Sequence, residues 1–200
     1  MSKAGRRPGP SATRAAILGA ATTRFTRGGY EATSMRQIAA DAEVDPALVR
    51  HFFGSKQALF TEVVAAVIRP DEAIPLLAGG PVTELGERLV RYFLGLLGDV
   101  ATPGTLLGLI RSAVTVEQAA ALLREFLADK VLGPIAAMIG ADEADLRVAL
   151  AASQLVGLAI ARHALGLKAL TTADTEHLIA WTAPTLQRYY TGAAPTEGRS

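Results

Sequence analysis

The run "DAEVDPALVRHFFGSK", residues 41–56, contains the start and stop signals of one short helix. Asp45 is a residue type that caps helix N-termini, and Pro46 follows it at the first helical position, where proline is favoured. Gly54 supplies the backbone freedom with which helices commonly end. The run therefore predicts a helix over about residues 45–53 that is fixed at both ends.

A second short helix is predicted immediately before this one. Ser34 and Gln37 have the spacing of a capping box, which predicts a helix over about residues 34–41. Apolar residues at four-residue spacing indicate a longer helix before the pair, and another helix is expected to begin after Ser55. Two short helices that are joined by a tight turn and backed by longer ones form the layout of a helix-turn-helix.

The apolar residues of the two short helices have the spacing to bury together, so that the rest of the second helix faces outward. The expected buried set is Ile38, Ala39, Val44, Val49 and Phe53, and the expected outward set is Pro46, Ala47, Leu48, Arg50 and His51. Eight helical residues span about 12 Å, which is comparable to the width of the major groove of DNA. Arginine can donate to guanine O6 and N7, and small apolar side chains can contact thymine methyl groups. Contacts to the DNA backbone are expected from Ser34, Arg36 and Lys56 at the two flanks.

The charge of the chain is divided unevenly. Residues 1–56 carry nine basic and four acidic side chains, whereas the remainder carries 11 basic and 15 acidic ones. A basic N-terminal part favours a polyanionic partner for that part alone.

The run from Ile17 to Phe60 resembles the N-terminal DNA-binding domain of the TetR family of bacterial transcriptional regulators. The shared features are the pair Gly28–Gly29 with its aromatic neighbour, "TSMRQIA", the turn, "HFF" and "SKQAL", in this order and without a gap. The resemblance implies that the residues at seven positions face DNA, namely Arg36, Pro46, Ala47, Leu48, Arg50, His51 and Lys56. It implies a dimer that binds a palindromic operator.

Four positions depart from the usual pattern of that family. Glycine is usual in place of Glu43, which predicts a left-handed backbone there at a cost of about 1–2 kcal/mol. A small hydroxyl residue is usual at Leu48 and a tyrosine at Arg50, so the operator is expected to be an uncommon one. Phe52 lacks a hydroxyl group that often contacts phosphate.

The C-terminal part is expected to be a larger helical domain. The run 69–81, with three prolines and a glycine pair, is interpreted as a broken connection. Helices are predicted at about 82–99, 104–113, 115–139, 142–166 and 174–191. The predicted organisation is a basic disordered tail at residues 1–12, the helix-turn-helix domain at 13–56, a connecting helix at 57–69 and an effector-binding and dimerisation domain at 70–200.

The resemblance implies that this all-α domain binds a small effector that releases DNA, and that its last two helices form a four-helix bundle with a second subunit. Small residues at helical spacing permit such close approach. The predicted dimer contacts are Ala149, Ser153, Gly157, Leu178 and Leu186. Apolar residues with a few polar ones among them favour a hydrophobic effector. The predicted pocket is Phe93, Leu97, Arg111, Phe126, Gln154 and Trp181.

Other interpretations stay open from the sequence alone. Arg50 and His51 could form an ordinary solvated helix face, the aromatic residues could fill the core, and the small residues could pack within one chain. The tail could be a minor-groove arm. An activator or an effector-independent DNA-binding protein would have the same signals, and a helical enzyme or carrier is a remote alternative.

Several classes of protein are disfavoured by what the sequence lacks. It has no Glu-x-x-His pair for a di-metal site, no phosphate-binding loop and no nucleophile elbow, so we expect no catalytic residue, metal or cofactor. No apolar signal segment follows the basic start, and cysteine is absent, which together favour a cytoplasmic protein without a membrane anchor.

Overall fold

The computed structural model describes residues 9–194 and confirms an all-α fold. These residues form helices joined by short turns and contain no β-strand. Most of the predicted tail, residues 1–8, lies outside the described residues. Its last part is helical, since the first helix already begins at Pro10.

The chain divides into two compact units. The head unit consists of the residues up to Val67 together with Gly108–Leu123, and the body unit consists of Ile68–Leu107 and the residues from Arg124 onward. The first boundary lies near the predicted end of the connecting helix. The inclusion of Gly108–Leu123 in the head unit had no counterpart in the sequence-based division.

The N-terminal helices have bounds close to those expected from their capping signals. They are α1 (Pro10–Gly28), α2 (Met35–Asp41), α3 (Pro46–Phe53) and α4 (Lys56–Ile68). Most of the predicted buried set is buried, but Val44 in the turn is only half-buried. Three stacked or edge-on rings, Phe25, Tyr30 and Phe60, fill the interior between α1 and α4 with centroids 5.0–5.9 Å apart.

The C-terminal helices are more numerous than expected. They are α5 (Pro70–Ala78), α6 (Leu85–Leu97), α7 (Thr102–Thr115), α8 (Glu117–Leu127), α9 (Gly133–Ile139), α10 (Ala144–Ala159), α11 (Lys168–Thr171) and α12 (Thr175–Thr191). A 3-10 turn precedes α6, and π-helical turns follow α8 and α10. The expectation of a broken connection over residues 69–81 was wrong, because α5 begins at Pro70 and runs through Pro75.

The body core is built around the crossing of α6 and α12. Ala183 and Leu186 on α12 pack into one apolar cluster with Val90 and Leu94 on α6. A bidentate ion pair joins the same helices, since the Arg91 guanidinium donates to both Glu176 carboxylate oxygens at 2.5 and 3.0 Å. One side of α12 is therefore covered within its own subunit.

The stretch Ala144–Ala164 is long and apolar enough to cross a membrane, judged by length and composition alone, with a mean hydropathy of 1.5. Within the described residues, one further span is obtained only if the bent pair Val82–Leu97 and Thr102–Thr115 is counted as one. Only 22% of the apolar window in Ala144–Ala164 is buried in the single subunit. Much of the surface of α10 is thus apolar and exposed.

We expect Gly86→Ala to lower the free energy of unfolding by about 1–3 kcal/mol, because overpacking forces neighbouring groups apart. An added methyl group would lie 2.8 Å from both the Ala183 carbonyl oxygen and the Gln187 amide nitrogen. The measurement is urea denaturation followed by circular dichroism. Gly95→Ala is the matched control on the same helix, since nothing lies within 4 Å of its added methyl group. Equal losses in the two variants would contradict a tight α6–α12 crossing.

Candidate nucleic-acid interface

The two helices of the helix-turn-helix are capped as the sequence predicted. The Ser34 hydroxyl accepts from the Gln37 amide at 3.3 Å, and the Gln37 side-chain oxygen accepts from the Ser34 amide at 2.8 Å. The Asp45 carboxylate accepts from the Ala47 amide at 2.7 Å, with Pro46 at the first position of α3. These caps satisfy backbone donors that a short helix leaves open and fix where α3 begins.

The turn between these helices contains a residue in a left-handed conformation. Glu43 has φ of +53°, as its departure from the usual glycine predicted. A side chain with a Cβ atom is disfavoured in this region by roughly 1–2 kcal/mol. The adjacent amide of Val44 donates to the Ala39 carbonyl at 3.0 Å, which helps to hold the turn in this geometry.

One side of α3 is buried and the other is open. Val49 is fully buried and Phe53 nearly so, whereas Leu48 is 39% exposed. Pro46, Ala47, Arg50 and His51 are also exposed, so the outward orientation predicted for all five residues is confirmed. The exposed side combines two basic-type side chains with small and apolar ones, which is a composition suited to base edges and thymine methyl groups.

The guanidinium groups of Arg36 and Arg50 in the head unit are exposed and have no partner among the described residues. Neither the Arg36 side chain on α2 nor the Arg50 side chain on α3 makes an ion pair or hydrogen bond within the part of the chain that the structure describes. Arg14 and Arg24, by contrast, pair with Glu62 at 2.6 Å and with Asp41 at 2.5 Å. The guanidinium groups of Arg36 and Arg50 are therefore available to an external anion.

The two other predicted flanking residues are engaged within the protein. The Lys56 ammonium lies 4.3 Å from the centroid of the Tyr30 ring and donates to the Glu31 carbonyl at 3.4 Å. Burial lowers the pKa of Lys56 from its ordinary value. The hydroxyl of Ser34 is used in the capping box. For both residues a DNA contact stays a prediction.

Arg14 and Arg24 connect α1 to the helices that follow it. Arg24 on α1 forms a bidentate pair with Asp41 at the end of α2, and this hydrogen bonding lowers the pKa of Asp41. The contact therefore contributes to stability above the usual pKa of an aspartate and is lost as the pH falls through the lowered value. The Arg14 guanidinium also lies 4.9 Å from the centroid of the Phe53 ring, which packs α1 against the end of α3.

Two side chains of α7 form hydrogen bonds to the end of α1 and to Tyr30, and the sequence did not predict these contacts. Arg111 on α7 donates to the carbonyls of Thr26 at 2.6 Å and Arg27 at 3.1 Å, at the C-terminal end of α1. The buried hydroxyl of Ser112 accepts from the Tyr30 amide at 3.2 Å. The prediction of Arg111 as a pocket residue is corrected, because its guanidinium caps α1. More than 80 residues separate these partners, so no local signal could have paired them.

The other predicted pocket residues do not form one group. Leu97 and Phe126 are buried, and Phe93 packs partly buried against the body core. Gln154 is exposed and lines a groove on the surface of α10. Trp181 is 74% exposed on α12, which corrects its prediction as a pocket residue.

The predicted dimer contacts fall into two sets. Ala149, Ser153 and Gly157 are exposed on α10, and nothing lies within 4 Å of a methyl group added at Gly157. Leu178 and Leu186 are 6% and 0% exposed inside the body core. These two residues are corrected, since side chains covered within one subunit cannot line the contact with another.

Comparisons with known proteins identify the family. Residues 17–63 match the family described as "Bacterial regulatory proteins, tetR family", and residues 83–190 match "Tetracyclin repressor-like, C-terminal domain". The crystal structure of a TetR-family regulator from Streptomyces coelicolor is 38% identical, covers 94% of this chain and 99% of its own, and has a TM-score of 0.68. The chain belongs to the TetR family. The resemblance found in the head unit is thereby confirmed.

More distant TetR-like structures share the fold. NalD, described as the secondary repressor of the MexAB-OprM multidrug efflux pump in Pseudomonas aeruginosa, is 22% identical over 90% of this chain and 95% of its own, with a TM-score of 0.62. EbrR, described as a multidrug binding protein complexed with imidazole, is 19% identical over 92% of this chain and 97% of its own, with a TM-score of 0.58. No match was found among curated proteins.

The described residues of this TetR-family chain contain no group of three or more His, Asp or Glu side chains that could hold a metal ion.

We expect Glu43→Gly to raise the free energy of unfolding by about 1 kcal/mol, because glycine adopts a positive φ without the Cβ penalty. Glu43→Ala is the control, since it removes the carboxylate and keeps the Cβ atom. Thermal unfolding of the three proteins provides the measurement. If both variants gained equally, charge repulsion with the neighbouring aspartates, and not backbone strain, would be the cause.

Proposed function

We propose that this TetR-family chain is a dimeric transcriptional repressor whose release from its operator is caused by a small hydrophobic effector. The observation that carries the proposal is the exposed side of α3, a capped helix on which the Arg50 guanidinium has no partner among the described residues and lies beside His51 and Leu48. Because the helix is buried along Val49 and Phe53, this side is the one that a DNA groove can receive.

The proposed DNA contacts are divided by what each side chain can reach. We assign base contacts in the major groove to Ala47, Leu48, Arg50 and His51, and assign Pro46 to the leading end of α3. Backbone phosphates are assigned to Arg36, Lys56 and the N-terminal end of α2 at Ser34, where helix amides favour an anion. To reach a phosphate, Lys56 would have to break its hydrogen bond to the Glu31 carbonyl. At 3.4 Å this bond is long and therefore weak.

The proposed dimer forms through the exposed sides of α10 and α12. No charged side chain occurs between Arg147 and Arg162, and Ala149, Ser153 and Gly157 expose a surface along which a second helix can approach closely. A twofold dimer presents two copies of α3 to half-sites that are separated by whole turns of DNA. This symmetry is the reason for expecting a palindromic operator.

The proposed effector site lies in the body unit and includes Phe93, Leu97 and Phe126. Support for a hydrophobic effector comes from the apolar character of these side chains and from the structural relative EbrR, which is described as a multidrug binding protein. The description of NalD as a repressor supports the proposed direction of regulation. We place the protein in the cytoplasm, where its proposed DNA partner is found.

The proposal is tested by titrating the protein with duplexes from the DNA that flanks its own gene and with random duplexes, at several salt concentrations. A repressor is expected to bind one flanking sequence selectively and to lose affinity steeply as salt rises. Compounds are then screened for release of that duplex. Equal binding to all duplexes would indicate an architectural DNA-binding protein, and salt-independent or absent binding would favour an enzyme or carrier.

We expect Arg50→Ala to weaken binding to the selected operator by about 1–3 kcal/mol and to relax selectivity at one base position. The measurement is fluorescence anisotropy with the operator and with single-base variants of it. Lys168→Ala removes the same charge from α11 in the body unit and is expected to leave affinity nearly unchanged. An equal loss on every sequence would assign Arg50 to phosphate instead.

A further inference from the structure

A tryptophan lies exposed on the surface of α12. Trp181 is the one tryptophan of the chain and is 74% exposed. Its indole N–H donates to Nε2 of His177 at 3.2 Å, and the two rings meet edge to face with centroids 6.4 Å apart. Tryptophan is enriched among residues that dominate binding energy at interfaces. The ring is held in one orientation although the subunit itself leaves it uncovered.

A groove lies beside this ring on the same surface. Its volume is about 300 Å³, and its lining is Ser153, Gln154, Gly157, Leu158, Ala161 and Thr182. The absence of a side chain at Gly157 helps to keep it open, and no atom of residues 9–194 lies within 4 Å of a methyl group added there. A cavity of about 150 Å³ holds a benzene ring. The groove therefore has room for the larger indole.

The groove is lined by three polar side chains, Ser153, Gln154 and Thr182, together with small and apolar ones, whereas the exposed surface of α10 along from it is apolar. Three large apolar side chains of α10 are exposed next to the small ones, namely Leu146 at 53%, Leu150 at 39% and Val156 at 36%. No charged side chain is present between Arg147 and Arg162, and Arg147 itself is turned toward the Tyr189 and Gly192 carbonyls at 2.7 and 2.8 Å. The occupant of this surface is therefore expected to be mainly apolar with a polar group, as an indole ring is.

We propose that Trp181 of each subunit inserts into the groove at Gly157 of a second copy of the chain, so that two reciprocal contacts anchor the dimer. The ring lies on α12, and the groove lies between α12 and α10 with its following π-helical turn, where Thr182 of the groove follows Trp181 directly. A twofold axis that passes between the ring and the groove places the ring of each subunit in the groove of the other. A surface with this property is self-complementary. The inference rests on the proposed dimeric repressor and assigns its anchoring residues.

The test uses the full chain and the fluorescence of its only tryptophan. The emission of the wild-type dimer is expected at short wavelength and to be poorly quenched by acrylamide, and both properties change on dilution to monomer. The dissociation constant of the dimer is measured by analytical ultracentrifugation. Trp181→Ala is expected to raise it by about thirtyfold or more, as the loss of an interface anchor does.

A second variant fills the groove instead of removing the tryptophan ring. The Cβ atom that Gly157→Leu adds has no described atom of the single subunit within 4 Å, and the change replaces glycine in a helix, so the variant is expected to fold and to weaken the dimer to a similar degree. Val100→Ser is the control, since Val100 is 99% exposed in the turn before α7. It is expected to leave the dissociation constant unchanged.

Three results would overturn the inference. The first is a dimer that both variants leave unchanged; operator binding by this dimer would show that the proposed function survives. The second is a dimer in which Trp181 remains freely quenchable. The third is a monomer whose tryptophan emission shifts only when phosphatidylcholine vesicles are added, which would assign the surface to a membrane. A monomer that also fails to bind any operator would contradict the proposed function itself.

Discussion

The burial of Val49 and Phe53 fixes the rotation of α3 about its own axis, and every assignment made to the DNA-binding surface depends on it. A helix of eight residues is too short to be stable alone in water, so its geometry must come from packing and caps. Asp45 fixes its first turn, Gly54 ends it, and Arg14 packs over the Phe53 ring. Because the side of α3 that carries Val49 and Phe53 is buried, the side that carries Arg50 faces solvent.

The head unit could be predicted from the sequence because its signals are local. Capping residues lie within three positions of the groups they cap, and a helix pair with a short turn leaves few arrangements for the apolar residues. Even the strained conformation of Glu43 followed from a departure at one position. The support from Arg111 and Ser112 could not be found in this way, because a guanidinium that caps a distant helix leaves no periodic pattern.

The body unit was predicted less well, and α12 shows the reason. Helical periodicity identifies apolar residues but not what covers them, so Leu186 and Trp181 could not be distinguished from the sequence. The structure buries Leu186 against α6 and leaves Trp181 in solvent, which reverses the expected use of both. The prolines of α5 led to the wrong prediction of a broken connection for a related reason. Pro70 occupies the first position, which has no hydrogen bond to lose, and burial of Ala73 and Leu77 compensates for the bond lost at Pro75.

The central claim, that α3 enters the major groove, is tested most directly by chemical footprinting of a selected operator with dimethyl sulfate. This reagent methylates guanine N7, an atom that lies in the major groove. If α3 enters the major groove, guanines are protected in two half-sites whose centres are about one helical turn, or a whole number of turns, apart. Binding that leaves every guanine N7 in the operator open to methylation would contradict this claim.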